Sequence, residues 1–233
     1  MLTAEEISAL VLSLQVAGMA LVLSLPFAVL TAYVLARKNF PGKIILEDAT
    51  LQTLTYRKLM VGAEVLAHAL CRPVSEGERV GILLPNINAT PVVILALWQL
   101  GKVPALLNFS SGIPTMLACG ELAGLKHIIT SRTFLERARL NVDAFGKAGI
   151  NVIYLEDTRV GISVSRKLLT LLRHILHLPA PGSQLCSARS TAVIVFTSGS
   201  EGVPKGVELT HQNLLANIRQ ILTITDFTDR DRL

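Results

Sequence analysis

The chain has 233 residues, enough for one sizeable core or for one domain with a small appendage. Its formal net charge is +5 and only 5% of its residues are aromatic, with no interleaving of basic and aromatic residues, so nucleic-acid binding is not expected. An anionic small molecule or a lipid surface fits this charge better. The three cysteines stand far apart without a CxxC pair, which argues against a disulfide framework or a zinc site.

The first long feature is an uncharged, apolar stretch over residues 7–36. It exceeds the roughly 20 residues that a helix needs to cross a bilayer, so we predict one transmembrane helix within residues 1–43. Two glutamates precede the stretch, whereas Arg37, Lys38 and Lys43 follow it. The positive-inside rule then places the rest of the chain on the cytoplasmic side. A buried helix of a soluble domain is the alternative interpretation.

Three short segments of this region resemble the first membrane helix of a molybdate-type ABC transporter permease. They are Ser-Leu-Gln-Val at 13–16, Leu-Pro-Phe at 25–27 and Ala-Arg-Lys-Asn-Phe-Pro-Gly-Lys at 36–43. A permease needs several membrane spans, but the later apolar stretch 90–100 is short enough to favour a core helix. Transport by this chain alone is therefore not expected.

From residue 44 onward, short apolar strands alternate with helical patterns. The predicted strands are 44–46, 52–55, 80–84, 103–107, 127–130, 152–155, 191–196 and 207–210, and the predicted helices are 56–70, 90–100, 113–123, 133–140 and one that opens after Thr210. Gly101 is expected to end the helix before it, and Thr210 to cap the helix after it. This alternation predicts an α/β fold, in which helices cover a parallel sheet.

Residues 163–178 predict a strongly amphipathic, basic helix that ends before Pro179. One side of the helical projection carries Val164, Leu168, Leu169, Leu171, Leu172, Ile175, Leu176 and Leu178, and the other carries Arg166, Lys167, Thr170, Arg173, His174 and His177. Two outcomes remain open, packing on its own domain or lying on an anionic bilayer. His174 and His177 have the spacing of half a metal site, but no Asp, Glu or Cys is near them in sequence, so no metal site is predicted.

The most informative residues follow the apolar strand 191–196. They read Thr197-Ser198-Gly199-Ser200-Glu201-Gly202-Val203-Pro204-Lys205-Gly206. Glycines let backbone N–H groups approach a ligand, hydroxyl groups add donors, and a lysine supplies positive charge, so this loop suits a polyphosphate. It is not a Walker A loop, because Lys205 is followed by Gly206 and then by a strand. An ordinary glycine-rich hairpin is the alternative.

This run resembles the phosphate-binding signature of the AMP-forming adenylate enzymes, which include acyl-CoA and acyl-carrier-protein synthetases. Further segments that resemble this family are 54–59, 77–86 and 101–108. Glu201 stands where threonine is commonest. Together with segments 130–135, 154–157 and 226–232, it resembles most the synthetase half of the bacterial Aas proteins, which join a lysophospholipid acyltransferase to an acyl–acyl-carrier-protein synthetase. The resemblance implies that residues 44–233 form part of the large domain of an adenylate-forming enzyme.

The resemblance implies a chemistry as well. A fatty acid carboxylate would be joined to the α-phosphate of ATP, pyrophosphate would leave, and the acyl group would pass to acyl carrier protein or to CoA. The nucleotide-binding residues would be Thr197, Ser198, Gly199, Ser200, Gly202, Lys205 and Gly206, and Mg²⁺ would accompany ATP. His211 would lie near the substrate tunnel. With the predicted membrane helix, the protein is expected at the bacterial inner membrane with its C-terminal part facing the cytoplasm.

Other family parts are not found in these 233 residues: the acidic motif, the ribose-binding aspartate and the catalytic lysine of the small C-terminal domain. Catalytic residues are therefore left unassigned. None of the five histidines is followed by an aspartate five residues on, as an acyltransferase would require. Two interpretations stay open, a membrane-anchored portion of an acyl-carrier-protein synthetase and a catalytically inactive fusion of a permease-like anchor with an incomplete nucleotide-binding fold.

Overall fold

The computed structural model describes residues 44–47, 52–75, 77–176, 178, 187–198 and 204–224. The predicted transmembrane helix within residues 1–43 lies outside this set. Within the described ranges, no helix combines the length and the apolar character that crossing a membrane requires.

Eight strands in the described part of the chain form two sheets. The strands are β1 (Ile44–Glu47), β2 (Thr53–Thr55), β3 (Arg79–Ile82), β4 (Val103–Leu106), β5 (His127–Thr130), β6 (Asn151–Tyr154), β7 (Thr191–Ser198) and β8 (Pro204–Thr210). β1 and β2 pair antiparallel, and the other six form one sheet in the order β6-β5-β3-β4-β7-β8. The first five of these strands run parallel, and only the edge strand β8 runs antiparallel, against β7. The predicted parallel sheet is thus confirmed, with an antiparallel edge.

Eight helices accompany the strands in the described ranges. They are α1 (Tyr56–Leu70), α2 (Ala89–Gln99), α3 (Ile113–Leu122), α4 (Arg132–Ala138), α5 (Asp143–Lys147), α6 (Leu155–Val160), α7 (Val164–Ile175) and α8 (His211–Ile224). The sequence predictions missed α5 and α6, which are only five and six residues long. Helices this short bury too few apolar residues to produce a clear 3.6-residue period.

Local chemistry explains where several helices begin and end. The hydroxyl groups of Thr55 and Ser163 accept hydrogen bonds from backbone N–H groups three residues ahead, in the first turns of α1 and α7. Thr210 caps α8 in the same way, since its Oγ1 accepts the N–H of Asn213 at 3.1 Å, as predicted. Gly101 follows α2 with a φ of 66°, a left-handed conformation that favours glycine at a helix end.

The core has two layers, one on each face of the large sheet. On the face that we call the α3 face, Ala105, Ile128 and Ile194 pack with Met116 of α3 and Phe145 of α5. On the opposite face, called the α1 face, the buried cluster consists of strand residues Val80, Ile82 and Ile129 with Leu70 of α1 and Leu97 of α2. Because both faces are covered, the strands read as continuous apolar runs rather than as alternating patterns.

One glycine marks a close approach in this core. A Cβ placed on Gly81, in the middle of β3, would lie 2.8 Å from Ile128 Cγ1 and 2.9 Å from Leu125 Cδ1. Both neighbours are themselves buried, so neither has room to move away. The position therefore has no space for a side chain.

We predict that Gly81→Ala lowers the free energy of unfolding by about 1–3 kcal/mol, because overpacking forces neighbours out of their preferred rotamers. The measurement is urea-induced unfolding followed by the fluorescence of Trp98, the single tryptophan of the chain. Gly146→Ala in α5 is the matched control, since a Cβ there meets nothing within 4 Å. It should be neutral or stabilising by about 0.5–1 kcal/mol. Equal losses in both variants would contradict the packing explanation.

Candidate functional site

The predicted phosphate-binding run connects β7 to β8. Thr197 and Ser198 are the last residues of β7, and Lys205 is the second residue of β8. The strand register pairs Ser198 with Pro204 and Thr197 with Lys205. The remaining predicted ligands of the loop, Gly199, Ser200 and Gly202, lie outside the described residues. The run thus connects two antiparallel strands, and its two described ends are held by backbone pairing.

The hairpin register brings a hydroxyl group and an ammonium group together. Directly paired residues of two strands project from the same face of a sheet, so the side chains of Thr197 and Lys205 are neighbours. Both residues are exposed. Among the residues that the structure describes, the Lys205 ammonium group makes no ion pair. A donor and a positive charge are therefore available to an anionic ligand at the end of β7.

Gly206 occupies the other face of the hairpin. It pairs with Phe196, which packs against the buried cluster of the α3 face. A Cβ on Gly206 would meet Leu122 Cδ2 and Phe196 Cε1 at 3.6 Å, which is ordinary van der Waals contact. Since glycine has no side chain, Gly206 would reach a phosphate through its backbone only.

The carboxyl ends of the parallel strands meet at the edge of the sheet where Thr197 lies. In open α/β sheets this edge is where ligands bind. β4 pairs with β7 through Ala105 to Ile194 and Leu106 to Val195, so extending that register by two residues places Asn108 beside Thr197. Its Oδ1 accepts the Ser110 N–H at 3.0 Å and the Ser110 hydroxyl at 2.7 Å.

These two bonds orient the amide of Asn108 and leave its NH₂ group for a further acceptor. Asn108 was not among the predicted ligands. The sequence contains a signal that could have identified Asn108. An asparagine, exposed in the structure, directly follows the apolar run 103–107.

A sequence profile of AMP-binding enzymes matches residues 35–233. The chain belongs to the AMP-binding enzyme family. The match begins inside the segment 1–43 that was predicted to contain the transmembrane helix, and it includes every residue that the structure describes. The resemblance of the glycine-rich run to the adenylate-forming enzymes is thereby confirmed at the level of the family.

Curated relatives of several kinds are similar to the chain. A hybrid PKS-NRPS synthetase, poxE of Penicillium oxalicum, is 30% identical over 182 residues, which are 78% of this chain and 4% of that protein. The 4-coumarate–CoA ligase-like 6 protein of Arabidopsis thaliana is 23% identical over 189 residues, which are 78% of this chain and 32% of that protein. The chain thus spans about a third of that relative, and far less of the synthetase.

Solved structures show the same fold. The o-succinylbenzoate CoA synthetase (MenE) of Bacillus subtilis superposes with a TM-score of 0.64 at 21% identity, over 82% of this chain and 45% of that one. ATP-bound MatB of Rhodopseudomonas palustris superposes with a TM-score of 0.63 at 23% identity, over 84% of this chain and 37% of that one. The predicted α/β adenylate-forming fold is confirmed by this likeness.

His211, whose place near the substrate tunnel stays a prediction, lies at the opposite end of β7 and β8 from Thr197 and Lys205. The backbone N–H of His211 donates a hydrogen bond to the carbonyl of Ser190 at 3.2 Å, and Ser190 directly precedes β7. Its ring packs edge-on against Trp98, with 5.0 Å between ring centroids. Since a strand rises about 3.3 Å per residue, the six steps from Thr191 to Thr197 separate the two places by roughly 20 Å.

A second polar cluster lies where β5 and β6 end. Arg132 donates two hydrogen bonds to Asp157, at 2.6 and 2.7 Å, and its guanidinium stands 4.1 Å from the ring centroid of Tyr154. The hydrogen bond from Arg132 lowers the pKa of the Asp157 carboxyl. The segments 130–135 and 154–157, which carry the finer family resemblance, therefore contact each other. Their charges are satisfied by one another, which indicates a structural role for this cluster.

Glu156 belongs to the same cluster, and its Oε1 accepts the Ser131 hydroxyl at 2.7 Å. Burial alone would raise the pKa of Glu156, but hydrogen bonds from Ser131 and from backbone N–H groups outweigh burial, and the pKa falls below its usual 4.5. Ionised Glu156 thus stabilises the fold above about pH 4.5, and this contribution is lost as the pH falls through the folded-state pKa.

Residues that could hold a metal ion do not come together in the described ranges, where no group of three or more His, Cys, Asp and Glu side chains is found. His174 instead contacts Glu64, with 3.0 Å between Nε2 and Oε2. His177, the other half of the spacing noted in the sequence, lies outside the described residues. Cys71 and Cys119 are free thiols, and burial raises the pKa of Cys119.

We predict that Ser131→Ala destabilises the protein more at pH 6 than at pH 3. The variant loses the helix cap of α4 at both pH values, which costs about 0.5–2 kcal/mol. At pH 6 it also loses the hydrogen bond to ionised Glu156. Urea unfolding at both pH values measures the difference. In a Glu156→Gln background the effect of Ser131→Ala should be independent of pH, and a pH-independent effect in the wild-type background would contradict this account.

Proposed function

We propose that this chain provides the phosphate-binding part of an AMP-forming acid ligase that uses ATP and Mg²⁺. The carrying observation is the hairpin at the carboxyl edge of the sheet, where exposed Thr197 and Lys205 project side by side. Membership in the AMP-binding family supports the reaction class. An ATP-bound structure is among the solved chains with this fold, which supports ATP as the nucleotide.

The reaction needs positive charge and donors where pyrophosphate departs. As the carboxylate oxygen attacks the α-phosphorus, negative charge grows on the leaving phosphate oxygens. Lys205 and the hydroxyl groups of Thr197, Ser198 and Ser200 would stabilise that charge, together with the backbone N–H groups of Gly199, Gly202 and Gly206. Mg²⁺ would neutralise part of the phosphate charge while taking most of its ligands from phosphate oxygens and water.

The acid that we propose is a fatty acid, with acyl carrier protein as acceptor. Glu201 and the segments 130–135 and 154–157 support this choice, since they resemble the synthetase half of the Aas proteins. CoA is the alternative acceptor, and relatives named as CoA ligases support it. Hybrid PKS-NRPS synthetases are also similar to this chain, so the test compares acids of different kinds.

We further propose that residues 1–43 hold the protein at the bacterial inner membrane, with residues 44–233 facing the cytoplasm. The uncharged stretch 7–36 and the basic residues that follow it support this location. The permease-like segments bear on the evolutionary origin of this anchor. Under the competing hypothesis of an inactive fusion, the anchor would insert but no acid would be activated.

Lys205→Ala should raise the Kd for ATP by roughly 10- to 150-fold, since a hydrogen bond to a charged group contributes about 1.5–3 kcal/mol. The measurement is binding of radiolabelled ATP to the full chain in detergent with Mg²⁺. Lys147→Ala is the control, because Lys147 is also exposed but lies on α5, away from the hairpin. Equal binding by Lys205→Ala and wild type would remove Lys205 from the phosphate site.

Exchange of radiolabelled pyrophosphate into ATP tests the reaction and the acid together. We expect exchange that depends on a long-chain fatty acid, is absent with 4-coumarate or o-succinylbenzoate, and falls by about 10²–10³ in Thr197→Val. That variant keeps the branched shape of the side chain and removes one donor. Exchange that depends on an aromatic acid would contradict the fatty acid assignment. ATP binding without exchange for any acid would favour the inactive fusion. Adding acyl carrier protein or CoA then identifies the acceptor by thioester formation.

A further inference from the structure

Helix α7 packs on the domain with its polar side. Thr170 is buried, and the side chains of Arg173 and His174 are 17% and 28% exposed. The opposite side of the helix is aliphatic and open to solvent. We call it the α7 stripe, and it consists of Val164, Leu168, Leu169, Leu172, Ile175 and Leu176, which are 46–79% exposed. This orientation is the reverse of that of most surface helices, whose apolar side faces the core.

A carboxylate on α1 holds the polar side inward. Glu64 is only 15% exposed and forms an ion pair with Arg173. Its second oxygen lies 3.0 Å from Nε2 of His174. A carboxylate buried to this extent requires a hydrogen-bonded cation, so turning α7 over would leave Glu64 without its partners. The outward direction of the stripe is therefore fixed by a specific interaction.

The charges along α7 complement an anionic surface. The sequence has no acidic residue from 163 to 178. Arg166 and Lys167 are both exposed. At 100° per residue, Lys167 lies about 60° from Val164 and Arg166 about 60° from Leu169. Each basic side chain thus borders one edge of the stripe, where its aliphatic part can lie along the apolar surface while its charge reaches outward.

We propose that the α7 stripe rests in the interfacial region of an anionic phospholipid bilayer, with Arg166 and Lys167 at the headgroup phosphates. An aliphatic face bordered by basic residues is the pattern of helices that lie in this region, with the apolar side about 5–10 Å deep. The nearby anionic surface attracts each basic residue further. This contact goes beyond the proposed reaction. It rests on the proposed membrane location and not on ATP binding.

Photolabelling from within the bilayer tests the contact. The full chain is reconstituted into phosphatidylglycerol vesicles that contain a phospholipid with a diazirine on its acyl chain. After illumination, labelled peptides are identified by mass spectrometry. We expect label in residues 164–176 as well as in residues 7–36. In Leu168→Ser/Leu172→Ser, label in α7 should fall about five-fold or more.

The matched control is Leu215→Ser/Ile218→Ser on α8, where both residues are also about half exposed, at 51% and 52%. Label in α7 should not change in this variant. Arg166→Glu/Lys167→Glu should reduce α7 label in phosphatidylglycerol vesicles but not in phosphatidylcholine vesicles. Lys126→Glu/Lys147→Glu reverses two exposed charges elsewhere and should have no effect. Circular dichroism of every variant confirms that the fold is retained.

Three results would overturn the proposal. Label confined to residues 7–36 would show that the anchor inserts while α7 stays off the lipid. Label in α7 that is insensitive to the serine and glutamate substitutions would show that the stripe is not what contacts lipid. A dimer trapped by a bifunctional amine crosslinker in the same vesicles, and lost in Leu168→Ser/Leu172→Ser, would show that a second copy covers the stripe. Failure of pyrophosphate exchange with α7 labelled as expected would contradict the proposed reaction alone.

Discussion

The register between β4 and β7 decides where the functional residues of this protein lie. Two residue pairs, Ala105 with Ile194 and Leu106 with Val195, join segments that are nearly ninety residues apart in sequence. Trp98 also links these two segments, because its indole N–H donates a hydrogen bond to the carbonyl of Ala192 at 2.7 Å. Among the described strands, β8 pairs with β7 alone. A shift of β7 by one residue against β4, with β8 following, would turn Thr197 and Lys205 to the α3 face and Phe196 to the α1 face.

The pairing of β7 with β8 gives Thr197 and Lys205 their common face. The alternation along β7 puts Ile194 and Phe196 against the buried cluster of the α3 face, so Thr197 projects from the opposite face. Burial of Ile194 and Phe196 thus orients the polar side chain of Thr197, which makes no contribution to the core. The strands on either side fix the two ends of the loop, at Ser198 and Pro204. A phosphate site built in this way depends on core packing as much as on its ligands.

Local features of the fold could be predicted from the sequence, and distant ones could not. The cap at Thr210 and the helix end at Gly101 depend on residues within four positions, so their patterns are sufficient. Strand order depends on pairings such as β4 with β7 that no local pattern contains. The orientation of α7 could not be predicted for the same reason. Glu64, which forms the ion pair with Arg173, lies more than one hundred residues before it. Periodicity identified the two sides of α7 but could not tell which side is buried.

The two proposals bear on the same part of the domain. α7 packs on α1, and α1 covers the sheet face from which Thr197 and Lys205 project. A fatty acid in a bilayer keeps its carboxylate at headgroup depth, which is also the depth proposed for Arg166 and Lys167. The bilayer that the α7 stripe would enter is therefore also the place where such an acid is found. The two proposals stay separate in their tests, because labelling of α7 reports the lipid contact and pyrophosphate exchange reports the reaction.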